Sequence, residues 1–116
     1  MKNNLGDHSR LLHILDAISE IEKYVQNISF DDFVENTMVH SASIRQLEIM
    51  GESASRVTHG LRKIYKDIDW ENIIGLRNVL IHEYFGVDLL VIWEIIENDL
   101  PPLKDKIQKI LKQFES

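Results

Sequence analysis

The segment from Arg77 to Tyr84 places an arginine, an asparagine, a histidine and a tyrosine in a run that is otherwise nearly all apolar. A buried polar group costs about 1–3 kcal/mol unless it is paired. A histidine exchanges protons near neutral pH, and an arginine offers a fork of donors to anionic oxygens. The segment therefore predicts either a polar lock between helices or an active site at a helix–helix contact.

Helical geometry arranges these side chains on different faces. At about 100° per residue, Glu71, Gly75, Asn78 and His82 form one strip, and Gly75 would admit a neighbouring backbone. Apolar residues flank this strip on both sides, so the helix should be covered from more than one direction. We expect the second cover to be another copy of the chain, in a two-fold homodimer that shares one cleft.

The spacing of Arg77 and His82 supports the same expectation. The two residues are five apart, which puts them about 140° around an ideal helix, whereas Arg77 and Tyr84, seven apart, share a face. Either the arginine wraps around the helix, or the helix loosens near Gly86, or the site is assembled across the dimer. The dimer is preferred because it also accounts for the excess apolar surface.

The elements that position this segment are all helical in pattern. Apolar residues at steps of three and four predict a first long helix that is capped by Asp7 and reaches about Ile28. Ser29 with Asp32 three residues later resembles a capping box, which predicts a short helix through about Asn36.

A second long helix should begin near Met38 and end or bend around Gly60, with a stripe that continues to Ile64. Gly51 and Ala54 on this helix would let a neighbouring helix approach closely.

Two further caps are predicted downstream. Asp69 caps a helix from residue 70 to about residue 84, which Gly86 breaks, and Asp88 caps another that reaches about Asn98. Pro101 and Pro102 suit the first turn of a last helix, whose apolar face is Leu103, Ile107, Ile110, Leu111 and Phe114. The prediction is one all-α domain over residues 1–116, an up-and-down bundle of four main helices plus short ones.

The composition narrows the function classes. The chain has no cysteine, which excludes disulfides, thiolate metal sites and thiol nucleophiles and fits a reducing cytoplasm. No apolar run reaches the roughly 20 residues that span a bilayer, so we expect a cytoplasmic protein without a membrane partner. The net charge of −6 argues against broad capture of nucleic acid, and the basic runs at 45–66 and 104–112 are interpreted as solvated faces. The other histidines lack metal-ligand spacing, so neither a metal nor a cofactor is predicted.

The pattern Arg77-x4-His82-x-Tyr84 resembles the motif of the HEPN ribonucleases, and most closely that of the HepT-like toxins of toxin–antitoxin pairs. The resemblance covers most of the chain, and Ser53 departs from it where the family pattern has alanine. Further matching segments are Ile49-Met50-Gly51-Glu52, Asp69-Trp70-Glu71-Asn72-Ile73, Gly75-Leu76-Arg77-Asn78, Tyr84-Phe85-Gly86-Val87-Asp88 and Val91-Ile92-Trp93.

The resemblance implies an all-helical, HEPN-like homodimer that cleaves RNA without a metal ion. It implies that Arg77 and His82 are the catalytic pair, with Asn78 as the polar residue beside the arginine. Tyr84 matches the tyrosine that a cognate nucleotidyltransferase antitoxin modifies with AMP to silence the toxin. Glu52 is a candidate partner for Arg77, although we favour a helix-surface or helix-pairing glutamate.

RNA chemistry suits these residue types. The 2′-hydroxyl lies beside the scissile phosphate, a neutral imidazole can take its proton, and a guanidinium can meet the charge on the transition state. The competing hypothesis is a catalytically inactive helical binding module that partners a small nucleotidyltransferase. Arg77 and His82 would then bind a nucleotide or lock the dimer.

Overall fold

The computed structural model describes residues 2–82 and 88–115, and every regular element within these ranges is a helix. Four of the helices are long, which confirms the predicted all-α bundle of four main helices plus short ones. None of the helices described is long and apolar enough to cross a membrane. In chain order the elements are α1 (Lys2–Tyr24), α2 (Phe30–Glu35), α3 (Thr37–Ser55), α4 (His59–Ile64), α5 (Trp70–His82), α6 (Leu89–Glu94), a π-helical turn (Ile95–Asp99) and α7 (Leu100–Glu115).

Helix α1 packs against both α3 and α7, and α5 packs against α3. The stripe of α1 is fully buried at Leu11, Ile14, Ile18 and Ile21. Burial of each such side chain contributes about 1.5–3 kcal/mol. Helix α5, which carries the polar segment, therefore packs on α3, and α3 packs on the buried stripe of α1.

The predicted cap at Asp7 is wrong, because α1 begins at Lys2 and Asp7 lies inside the helix. Its carboxylate is buried and accepts hydrogen bonds from the backbone nitrogen and the hydroxyl of Thr58, at 2.9 and 2.6 Å. The helix also ends at Tyr24 rather than near Ile28, since Asn27 adopts a left-handed φ of 61° that stops it. Ile28 still packs on the core from the loop that follows.

The predicted end of the second long helix near Gly60 is also wrong. α3 ends at Ser55, and Thr58 caps a separate short helix that contains Gly60. The Arg62 side chain donates from Nε to the Val57 carbonyl and from Nη2 to the Ser55 carbonyl, both at 3.0 Å, which ties the two helices together. Ile64, the last residue of the predicted stripe, is 74% exposed and does not extend the core.

The caps predicted further along the chain are confirmed. Ser29 and Asp32 form the reciprocal capping box of α2. The Asp69 carboxylate accepts from the Asn72 backbone nitrogen at 3.1 Å, and Asp88 caps α6. The predicted helix end at Tyr84 and the break at Gly86 lie outside the described residues.

The helix end predicted at Asn98 is wrong, because the helix continues there through the π-helical turn. The chain stays helical from Leu89 to Glu115, and the backbone nitrogen of Leu100 donates to the carbonyl of Ile95. Pro101 and Pro102 lie in the first turn of α7, as predicted. Because prolines have no N–H, they leave the carbonyls one turn earlier without their usual donors, and the helix widens there instead of ending.

Candidate active site

Helices α3 and α5 meet closely at Gly51, which is buried. A Cβ atom at this position would lie 2.7 Å from the Cβ of Arg77 and 3.0 Å from the carbonyl oxygen of Ile73. Only glycine fits such a contact, so the close approach predicted at Gly51 is confirmed. The backbone of α3 thus lies directly against the turn of α5 that carries Arg77.

No such approach is present at Gly75. A Cβ atom there would meet nothing within 4 Å among the residues described. The backbone predicted to pack on Gly75 is therefore not part of the described single chain. A second copy of the chain at this place stays a prediction.

Glu52, the residue after Gly51, holds Arg77. Its Oε2 lies 2.8 Å from the Nε of Arg77, and the side chains are 37% and 38% exposed. Glu52 is therefore both the partner of Arg77 and a helix-pairing glutamate, because it lies on α3 and Arg77 lies on α5. An ion pair this exposed contributes only about 0–1 kcal/mol, so its main effect is to orient the guanidinium.

The second oxygen of Glu52 holds another arginine. Both Nε and Nη2 of Arg56 lie 3.0 Å from Oε1. We call Arg56, Glu52 and Arg77 the carboxylate-bridged cluster. Sequence patterning had assigned Arg56 to a solvated basic run, and its i,i+4 spacing from Glu52 is the signal that could have indicated the pair.

The contact between Glu52 and Arg77 is made at Nε of the guanidinium. Among the described residues, Glu52 is the only hydrogen-bonding or ionic partner of Arg77, and the Arg77 side chain is partly exposed. Nη1 and Nη2 form the flat, forked end of a guanidinium, which suits a phosphate. A partly exposed guanidinium with one carboxylate partner can therefore still bind an anion.

The other predicted site residues are placed only through the backbone. Helix α5 is continuous from Trp70 through His82, so the offset of about 140° between Arg77 and His82 applies within one protomer. The side chains of Asn78 and His82, and the whole of Tyr84, lie outside the described residues. Their catalytic or modified roles thus remain predictions.

The surface around α4 carries a separate depression of about 780 Å³. Its wall mixes the basic side chains of Lys63 and Lys66 with the acidic Asp67 and Glu71, and it includes none of the carboxylate-bridged cluster. Among the side chains that the structure describes, which exclude that of His82, no three histidine or acidic groups come together as metal ligands would.

Comparison with known proteins points to one family. The family described as Ribonuclease HepT-like matches residues 14–110. A candidate RNase of Methanocaldococcus jannaschii is 34% identical over 98 residues, which cover 84% of this chain and 90% of that protein. A candidate ribonuclease HepT of Thermococcus cleftensis is 37% identical over 112 residues, which cover 97% and 100% of the two chains. No solved structure matches the chain significantly.

The chain is an all-helical bundle with a guanidinium at a contact between two helices. Its matches over most of its length place it among the RNA-cleaving enzymes. The chain belongs to the HepT-like ribonuclease family.

Proposed function

We propose that the protein is a metal-independent endoribonuclease and the toxin of a toxin–antitoxin pair, active in the cytoplasm. The observation that carries this proposal is Arg77, whose guanidinium contacts Glu52 at Nε while the side chain stays partly exposed. A fixed donor fork stabilises charge that develops on phosphate oxygens, because it needs no reorganisation during the reaction.

In the proposed reaction the RNA supplies its own nucleophile. The neutral imidazole of His82 removes the proton from the 2′-hydroxyl, and the 2′-oxygen attacks the adjacent phosphorus. The bond from phosphorus to the 5′-oxygen breaks, and that oxygen takes up a proton. The products are a 2′,3′-cyclic phosphate and a free 5′-hydroxyl. Arg77 binds the non-bridging oxygens throughout, and Asn78 orients the imidazole or donates to the phosphate.

A homodimer completes this site in the proposal. Arg77 and His82 of one protomer diverge by about 140° around α5, so one protomer does not direct both at a single phosphate. A two-fold axis beside α5 would place the histidine of one copy near the arginine of the other. The open Gly75 position on α5 is compatible with a second backbone there.

The test is cleavage of RNA by the purified protein in the presence of excess chelator. We expect cleavage to continue at an unchanged rate, with cyclic phosphate ends that phosphatase does not remove until they are opened by acid. Mass spectrometry of the fragments reads out these ends. Activity that chelator abolishes, or fragments with 5′-phosphate ends, would refute the proposal. Absence of cleavage would favour the inactive binding module.

The proposal includes silencing by a nucleotidyltransferase antitoxin, which transfers AMP to Tyr84. On a continuous helix Tyr84 would share a face with Arg77, seven residues earlier. The added phosphate could pair with the guanidinium and exclude the RNA backbone by charge and volume. The residue types and their spacing support this step.

We expect Tyr84→Phe to cut RNA like the wild type but to escape silencing by the antitoxin and ATP. Tyr65→Phe, a tyrosine in the C-terminal cap of α4, is the matched control and should be silenced normally. Intact mass and residual cleavage measure the two effects. Silencing of Tyr84→Phe with a gain in mass would place the modification elsewhere.

A further inference from the structure

The pair formed by Arg77 and Glu52 has no net charge. A neutral ion pair is a poor attractor for a phosphodiester, since the carboxylate repels the anion that the guanidinium binds. Arg56 changes this balance, because two arginines and one glutamate give the carboxylate-bridged cluster a net charge of +1. The whole chain has a net charge of −6. The positive charge of the cluster therefore favours contact with an RNA backbone at this place on the surface.

We propose that Arg56 is an RNA-binding residue that contacts the phosphodiester next to the one held by Arg77. This inference rests on the proposed ribonuclease function and extends its substrate site beyond the scissile group. Arg56 and Arg77 contact the two oxygens of one carboxylate, so their guanidinium groups are neighbours and can reach neighbouring phosphates of one strand.

The exposure of Arg56 fits this role. Its side chain is 56% exposed, more than that of Arg77 at 38%. Nε and Nη2 contact Glu52, which is the only partner of the Arg56 side chain among the described residues. A donor that faces solvent from an anchored guanidinium can bind a second phosphate oxygen without a new ordering step.

The same helix provides a matched pair that lacks this geometry. Arg45 contacts Glu48 at 3.3 Å and is 68% exposed, but among the described residues this pair has no third partner. Arg45 lies 11 positions before Arg56, which is about 16 Å along α3. It therefore has the same charge and an acidic partner, on the same helix, away from the cluster.

The experiment measures binding of a single-stranded 2′-O-methyl RNA, which lacks the nucleophile and cannot be cut. We expect Arg56→Gln to weaken the Kd about tenfold at low salt, the loss expected for one charged contact. The slope of log K against log salt should become shallower by about 0.7, the value for one phosphate on a single strand. Arg56→Lys should keep the slope, and Arg45→Gln should match the wild type.

Other outcomes distinguish a failure of the Arg56 inference from a failure of the proposed ribonuclease function. An unchanged Kd and slope for Arg56→Gln, or equal losses in Arg56→Gln and Arg45→Gln, would overturn the inference alone. A loss of kcat with normal Kd and slope would also overturn it, because Arg56 would then act by positioning Glu52. If the wild type neither binds this RNA nor cuts ordinary RNA, the proposed function falls and the inference falls with it. Thermal melts of each variant exclude unfolding as the cause.

Discussion

Replacement of His82 by alanine is expected to lower kcat for RNA cleavage by about 10²–10⁴-fold, the usual contribution of a general base. Binding of the 2′-O-methyl RNA should change little, because the imidazole acts on a proton and not on the phosphate charge. Single-turnover cleavage and the Kd of the uncleavable RNA, measured on the same preparations, check both parts.

The pH profile adds a signature that a structural role would not give. An imidazole can act as a base only when it is neutral, so wild-type activity should fall as the pH decreases through its titration. The residual activity of His82→Ala should lack this acidic limb. His13→Ala, which removes an exposed histidine of α1, is the control and should behave like the wild type. Full activity in His82→Ala would assign the cleavage to a contaminant or to another residue.

Helix starts were predicted correctly from the sequence where the cap is formed by a side chain only a few positions away. The capping box at Ser29 and the cap at Asp69 depend on residues within three positions, and both are confirmed. The cap at Asp7 was wrong because its partner, Thr58, lies 51 residues away. The end of α3 was missed for a similar reason, since the apolar period continues across a break made by Thr58 and Arg62.

The site shows the same division between local and distant signals. Helical spacing gave the relation of Arg77 to His82 on α5, which depends on one element. The contact of Glu52 with Arg77 joins two helices through residues that are 25 positions apart in sequence, and no periodicity reveals it. The resemblance to a known family indicated Glu52 and Arg77 as candidates. The close packing of α3 and α5 at Gly51 explains why their side chains are in contact.

Gly51→Ala is expected to damage catalysis more than its single methyl group suggests. The new Cβ would lie 2.7 Å from the Cβ of Arg77 and 3.0 Å from the Ile73 carbonyl. Neither atom is the end of a flexible side chain, so α3 and α5 must move apart. Overpacking of this kind costs about 1–3 kcal/mol. A displacement of Arg77 by about 1 Å can lower kcat on the order of 10²-fold.

The two effects are separable by temperature and by a matched glycine. Gly6→Ala lies on α1, where a Cβ meets no described atom within 4 Å, so it should leave kcat unchanged and slightly raise the melting temperature through helix propensity. Cleavage by Gly51→Ala is measured well below its own melting temperature, where the protein is folded. A normal kcat there would mean that the α3–α5 distance does not set the position of Arg77. A loss of kcat in the folded variant would instead tie catalysis to the spacing of these two helices, because no atom of Gly51 carries a reactive group.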